Sequence, residues 1–164
     1  MIDIPDSVRP LFVAAGWHPG RRMAPAPGVS VDHPAATILA EFDGLRVGKM
    51  GAGEECATSD LAFQQLPRED PVIDTWESLL STRLVGIAEF HRAYGELHID
   101  SVGRCFANSI VDDVFAFVGA SFGEAVECLL LGRLFRPMLR PDQSAVRCFG
   151  QTFTAGDPRV YTYR

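Results

Sequence analysis

The chain has 164 residues, 47% of them apolar and 22% charged, with 15 basic and 21 acidic side chains giving a formal net charge of −6. That length suits a single domain with one sizeable core, and that composition excludes wholesale disorder. The acidic balance excludes a general nucleic-acid binder, and the lack of a long apolar run or secretory signal predicts a cytoplasmic protein with no membrane association.

The first predicted element is a helix in "DSVRPLFVAAGW". Asp6 or Ser7 is the expected N-cap, Pro10 falls in the first turn, and Val8, Leu11, Phe12 and Ala15 recur at helical spacing. Gly16 sits where a helix end needs a left-handed residue, so Trp17 should pack back onto Phe12 and Pro19 should prevent continuation. The stretch from Phe12 to Arg22 therefore reads as a helix stop with an aromatic plug. Arg21 and Arg22 are expected to be solvated or locally paired.

A second helix, "DHPAATILAEFDGL", follows the same grammar: Asp32 or His33 caps it, Pro34 takes the first turn and Gly44 ends it. A third runs through "REDPVIDTWESLLS", with Ile73, Trp76 and Leu80 facing the core. The last is "SFGEAVECLLLG", opened by a Ser121–Glu124 capping box and closed at Gly132.

Strands are expected in "LRVG", "LAFQQ", "RLVGIAEF", "GELHID", "RCFAN" and "VFAFVG". Residues 84–108 should form an antiparallel meander turning at "AYGE" and "DSVGR". Three successive strands followed by a capped helix indicate an α+β domain rather than alternating βαβ units. The segment after Arg136 has little periodicity; it should wrap the surface, with a late strand near Phe153 or Val160.

No catalytic motif stands out. "GLRVGKM" has the wrong glycine spacing for a phosphate loop and a methionine where a hydroxyl must reach magnesium. Cys56, Cys105, Cys128 and Cys148 include no CxxC pair, and Cys105 and Cys128 fall at expected core positions. In "EFHRAYGELHID", Glu89 and His91 would share one strand face, and Glu96, His98 and Asp100 a face of the next. Such carboxylate–imidazole clusters can hold zinc or move protons, but the same alternation describes a polar outer face. No enzyme, cofactor or metal site is expected.

The order of pieces resembles the third subfamily of the SUKH superfamily, bacterial toxin-immunity proteins. The resemblance is carried by "LFVAAGWHPGRR", "PAATILAEFDGL", "LAFQQLP", "LVGIAEFHRAYGELHIDSVGRCFA" and "FVGASFGEAVECLLLG", roughly residues 8–133. It implies an α+β fold over residues 1–164, with three to four helices on a mixed or largely antiparallel sheet of about five to six strands. Residues 137–164 would be a C-terminal extension. It also implies a protein that binds and neutralises a cognate toxin domain, often a nuclease, of a polymorphic toxin system.

On that resemblance Gly16, Trp17, Gly44, Gly103 and Gly119 match scaffold positions, while Arg21, Asp100 and Arg104 match recurring polar positions suited to turn stabilisation or toxin contact. A toxin's basic cleft would be met by acidic side chains. Glu54, Glu55 and Asp60 form one such patch and Asp112 and Asp113 another, although both patches also fit solvated loops. A regulatory protein-binding module of the same fold is the alternative, and the sequence leaves monomer and homodimer both open.

Overall fold

The computed structural model describes residues 2–163. Its first helix, α1 (Arg9–Ala14), begins without a side-chain cap. The two expected caps are engaged elsewhere: Asp6 accepts from Arg9 Nε at 3.0 Å and Ser7 Oγ donates to Glu127. The amides of Val8 and Arg9 instead turn back onto the carbonyl of Pro5. The other end is a Schellman motif, with the amide of Trp17 donating to Phe12 (2.9 Å) and that of Gly16 to Val13 (3.0 Å). Gly16 has φ +96°, a conformation that L side chains rarely adopt.

Helix α2 (Pro34–Phe42) is capped by His33, whose Nδ1 accepts from the amide of Ala35. Helix α3 (Pro71–Leu80) is capped by Asp70 and α4 (Phe122–Leu131) by Ser121, and α4 stops at Gly132. Each helix thus starts or stops on a residue that satisfies its orphan backbone groups.

Seven strands form one wholly antiparallel sheet, against the five to six expected. They are β1 (Arg46–Val47), β4 (Leu61–Phe63), β5 (Leu84–Phe90), β6 (Gly95–Asp100), β7 (Cys105–Ser109), β8 (Phe115–Gly119) and β9 (Arg136–Met138). Their order in the sheet is β1-β4-β5-β6-β7-β8-β9. Two small ribbons stand apart, β2 (Gly51–Ala52) with β3 (Ala57–Thr58), and β10 (Ala145–Cys148) with β11 (Gln151–Thr154).

The additional strand, β9, comes from the tail. Its central residue, Pro137, pairs opposite Ala116 at the sheet edge, where a missing donor is tolerated. The late strand expected near Phe153 is β11. Its partner β10 is joined to it by Phe149 and Gly150, both at positive φ, the geometry of a tight hairpin turn.

Register rows define two faces. Leu97, Ala107 and Ala116 lie on one; Glu96, Asn108, Phe115 and Met138 lie on the other. The first face is covered by α1, α2 and α4, whose Phe12, Phe42 and Phe122 gather with Phe63 of β4 at ring separations of 5.2–5.9 Å. The second face carries a smaller core of Ile73 and Trp76 from α3 with Leu84, Phe106, Phe115 and Met138. The tail closes that core: Tyr161 stacks on Phe117 at 4.1 Å and Tyr163 meets Trp76 edge-on at 5.4 Å.

Trp17 is buried beside this first core, and its indole Nε1 donates to Glu41 Oε1 at 3.0 Å. The second oxygen of Glu41 accepts from the amide of Ile2, so one buried carboxylate ties the N-terminus, the α1 stop and α2 together. Trp17→Ala should destabilise the fold by about 3–5 kcal/mol, measured by urea denaturation, because it opens a cavity and strands that carboxylate.

Candidate functional site

The antiparallel meander brings the β5–β6 turn and the β7–β8 loop to the same end of the sheet. There they border a cleft of about 700 Å³, completed by the β2–β3 connection, the end of α4 and the β10–β11 turn. Its lining is mainly apolar and includes Phe90, Ala107, Leu129, Phe135 and Phe149. Large apolar side chains are exposed around this end: Tyr94 at 55%, Ile110 at 53%, Val111 at 62% and Leu134 at 46%. Exposed apolar groups gathered at a concave site mark a surface suited to burial by a partner.

The β5–β6 turn is strained. His91, Arg92 and Ala93 occupy the left-handed region in succession, at φ +54°, +56° and +64°, a conformation that costs an ordinary residue roughly 1–2 kcal/mol. Asp60 holds it there: its carbonyl accepts the amide of His91 (3.3 Å) and its carboxylate that of Arg92 (3.0 Å). The amide of Ile110 then donates to Tyr94 O at 3.1 Å, binding the two loops to each other. Persistent strain of this kind is concentrated at functional surfaces.

The acidic residues of both sequence patches surround this end, and most are engaged internally. Glu54 pairs with Arg133 at 2.7 Å, and the guanidinium holds its carboxyl below the usual range. Glu55 accepts from the amide of Leu134 at 2.8 Å. Asp113 accepts from Arg140 at 2.6 and 2.7 Å, which lowers its titration likewise. Asp112 lines the cleft, in a bend whose backbone is fixed by Ser109 Oγ and the amide of Val114.

Arg21 lies outside this grouping. Its guanidinium donates to the carbonyls of Glu41 (2.6 Å) and Asp43 (2.7 Å), the unsatisfied end of α2. Of the solvated and locally paired alternatives, neither describes Arg21, which is a half-buried clamp on the C-terminal end of α2, 20 and 22 positions away in sequence. Gly44, just past α2, donates its amide to Phe63. At the far end of the sheet, fully buried Asp100 accepts the amides of Val102 and Arg104 and the Nε of Arg104 (2.7 Å), building the β6–β7 turn that contains Gly103. At Gly119 a Cβ would stand 2.8 Å from the amide of Ala125, so only glycine lets β8 meet α4.

The hairpin ionisable cluster is divided. His91 belongs to the strained turn, and Asp100 to the far turn. Glu96 and His98 do meet, at 3.1 Å, with Asn108 Nδ2 donating to the same carboxylate oxygen of Glu96 (3.0 Å) and to Asp70 (3.2 Å). Glu89 lies opposite Glu96 in register. Among the described residues no group of three or more His, Cys, Asp or Glu side chains is arranged to hold a metal ion. Burial pushes the Cys128 thiol up to about 12 and Cys148 to about 11, which disfavours a nucleophilic thiolate.

Residues 4–132 match the family model of the SUKH-3 immunity protein. The chain belongs to that family. No curated protein and no solved structure shows a significant match, and no helix among the described residues is long and apolar enough to cross a membrane.

Two outcomes are expected from this geometry. Arg21→Ala should cost about 1–3 kcal/mol in urea unfolding, since two charge-assisted bonds to the end of α2 are lost. Glu96 is held below its ordinary 4.5 by the hydrogen bond from His98. Its ionised form therefore contributes stability that is present above that pH and lost as pH falls through the lowered folded value. The parent should lose stability more steeply below about pH 4.5 than Glu96→Gln, as read from denaturation midpoints across an acid series.

Proposed function

We propose that this member of the SUKH-3 immunity family acts in the cytoplasm as the immunity protein of a polymorphic toxin system, neutralising a cognate toxin domain by occlusion. The toxin docks over the cleft between the β5–β6 turn and the β7–β8 loop. The observation that carries this reading is the coincidence, at one end of the sheet, of an apolar cleft, exposed Tyr94, Ile110 and Val111, and a strained turn pinned by Asp60.

Each part has a physical role. Tyr94 and Val111 supply apolar area to the centre of an interface, where a few well-packed side chains provide most of the affinity. The turn is held in place before the partner arrives, so little ordering entropy remains to be lost on binding. The net charge of −6 draws a basic partner over distance, as a nuclease with a phosphate-binding cleft would be. On this reading Glu54, Glu55, Asp60, Asp112 and Asp113 form the acidic surround of the docking surface. Neutralisation of this kind needs no catalytic group of the immunity protein.

The test uses the toxin domain encoded beside this gene. The parent should bind it one-to-one, abolish its activity and weaken as salt rises. Tyr94→Ala and Val111→Ala should each reduce affinity about tenfold or more while shifting stability by no more than about ±0.5 kcal/mol, since both side chains are exposed. Parental affinity in both variants would place the toxin elsewhere on the molecule.

A further inference from the structure

Two thiols that are distant in sequence converge on one acceptor beneath the cleft. Cys56, in the connection before β3, and Cys128, in the last turns of α4, both donate to the carbonyl oxygen of Arg133. Those contacts are 3.5 and 3.4 Å, so the two sulfurs are at most 6.9 Å apart. The backbone imposes this proximity. The amide of Cys56 donates to Gly132 O at 2.9 Å, that of Arg133 to Cys128 O at 2.9 Å, and that of Ser59 to Leu129 O at 2.9 Å. Gly132 permits the approach, because a Cβ there would stand 2.4 Å from Cys56 O.

We propose that Cys56 and Cys128 form a reversible disulfide, a redox modification site that fastens the β2–β3 connection to the end of α4. Rotation about a Cα–Cβ bond moves a sulfur by up to about 3 Å, so side-chain rotation is the movement that would bring the two sulfurs toward a bond of about 2.05 Å. Cys56 is the more accessible of the two. Its thiolate attacks a disulfide oxidant such as oxidised glutathione, forming a mixed disulfide and expelling one glutathione thiolate. Cys128, sparsely ionised because it is buried, attacks the adjacent Cys56 sulfur in the small fraction that is deprotonated, forming the intramolecular S–S bond and expelling the second glutathione thiolate. The two thiol protons pass to the two glutathione thiolates, and the protein loses the two electrons that the oxidant gains. Burial raises both thiols above their ordinary range, so the exchange quickens as pH rises.

The other cysteines are placed differently. Cys148 lines the same cleft from the separate β10–β11 ribbon, and Cys105 is buried in β7. The proposed bond would hold Glu54 and Glu55 against α4 whether or not a toxin is the partner, so its chemistry stands apart from that reading.

The experiment equilibrates the folded chain in glutathione redox buffers at mildly alkaline pH, quenches with acid, blocks free thiols and maps peptides by mass spectrometry. Expected is a Cys56–Cys128 linked peptide that disappears on reduction. It should persist in Cys148→Ser and be replaced in Cys128→Ser by glutathione on Cys56. A linkage of Cys56 to Cys148, mixed disulfides alone in the parent, four intact thiols at the most oxidising ratio, or a Cys56–Cys128 linkage that forms only in urea would each overturn the proposal.

Discussion

The governing constraint is a sheet whose central strands are buried on both faces. Along β6 and β7 nearly every residue is enclosed, whichever way its side chain points. Apolar surface of that extent has to be removed from water twice. Helices α1, α2 and α4 do this on one side, locked through Phe12, Phe42, Phe63 and Phe122. On the other side α3 stands without a second helix beside it, and β9 with Tyr161 and Tyr163 completes the cover. The family match ends at residue 132, yet the second core depends on residues beyond it.

Covering both faces decides what is left for recognition. The flat surfaces of the sheet are occupied, and even the polar His98 and Asn108 are buried there. What stays accessible are the turns, and one end of the meander carries the cleft, the exposed apolar side chains and the left-handed turn. The opposite end is consumed by its own structure, since Asp100 is fully buried and spends its carboxylate on Val102 and Arg104. That turn exposes Val102 as well, but the apolar cleft and its gathered Tyr94, Ile110 and Val111 lie at the other end.

Local chemistry was legible in the sequence and long-range placement was not. The α1 stop at Gly16 and Trp17, the prolines in the first turns, the His33 cap and the Ser121 cap depend on neighbours within a few residues, and spacing reveals them. The strands of the meander were visible through their apolar content. Hidden were β9, short and centred on a proline, and β10, the partner of the expected late strand β11, to which it is joined by Phe149 and Gly150 rather than by a recognisable Asn-Gly. Arg21 illustrates the harder failure, because its partners, Glu41 in α2 and Asp43 just past it, lie 20 and 22 positions away. The cleft was equally unreadable: five separate segments build it, and only the folded topology joins the acidic residues at 54–60 to those at 112–113.

That joining also alters what the acidity can do. Among the five acidic residues beside the cleft, the carboxylate of Glu54 is taken by Arg133, that of Glu55 by the amide of Leu134, that of Asp60 by Arg92 and that of Asp113 by Arg140. A carboxylate whose charge is already partly met by a bonded donor gains less from a further cation, so direct ion pairs with a toxin would bring a smaller net gain than free carboxylates would. Their charge still acts at a distance, and their bonds fix the loops around the cleft. The proposed interface thus separates two tasks: the acidic residues set the rate of encounter and the rigidity of the surface, while Tyr94, Ile110 and Val111, whose burial displaces no existing bond, hold the complex together.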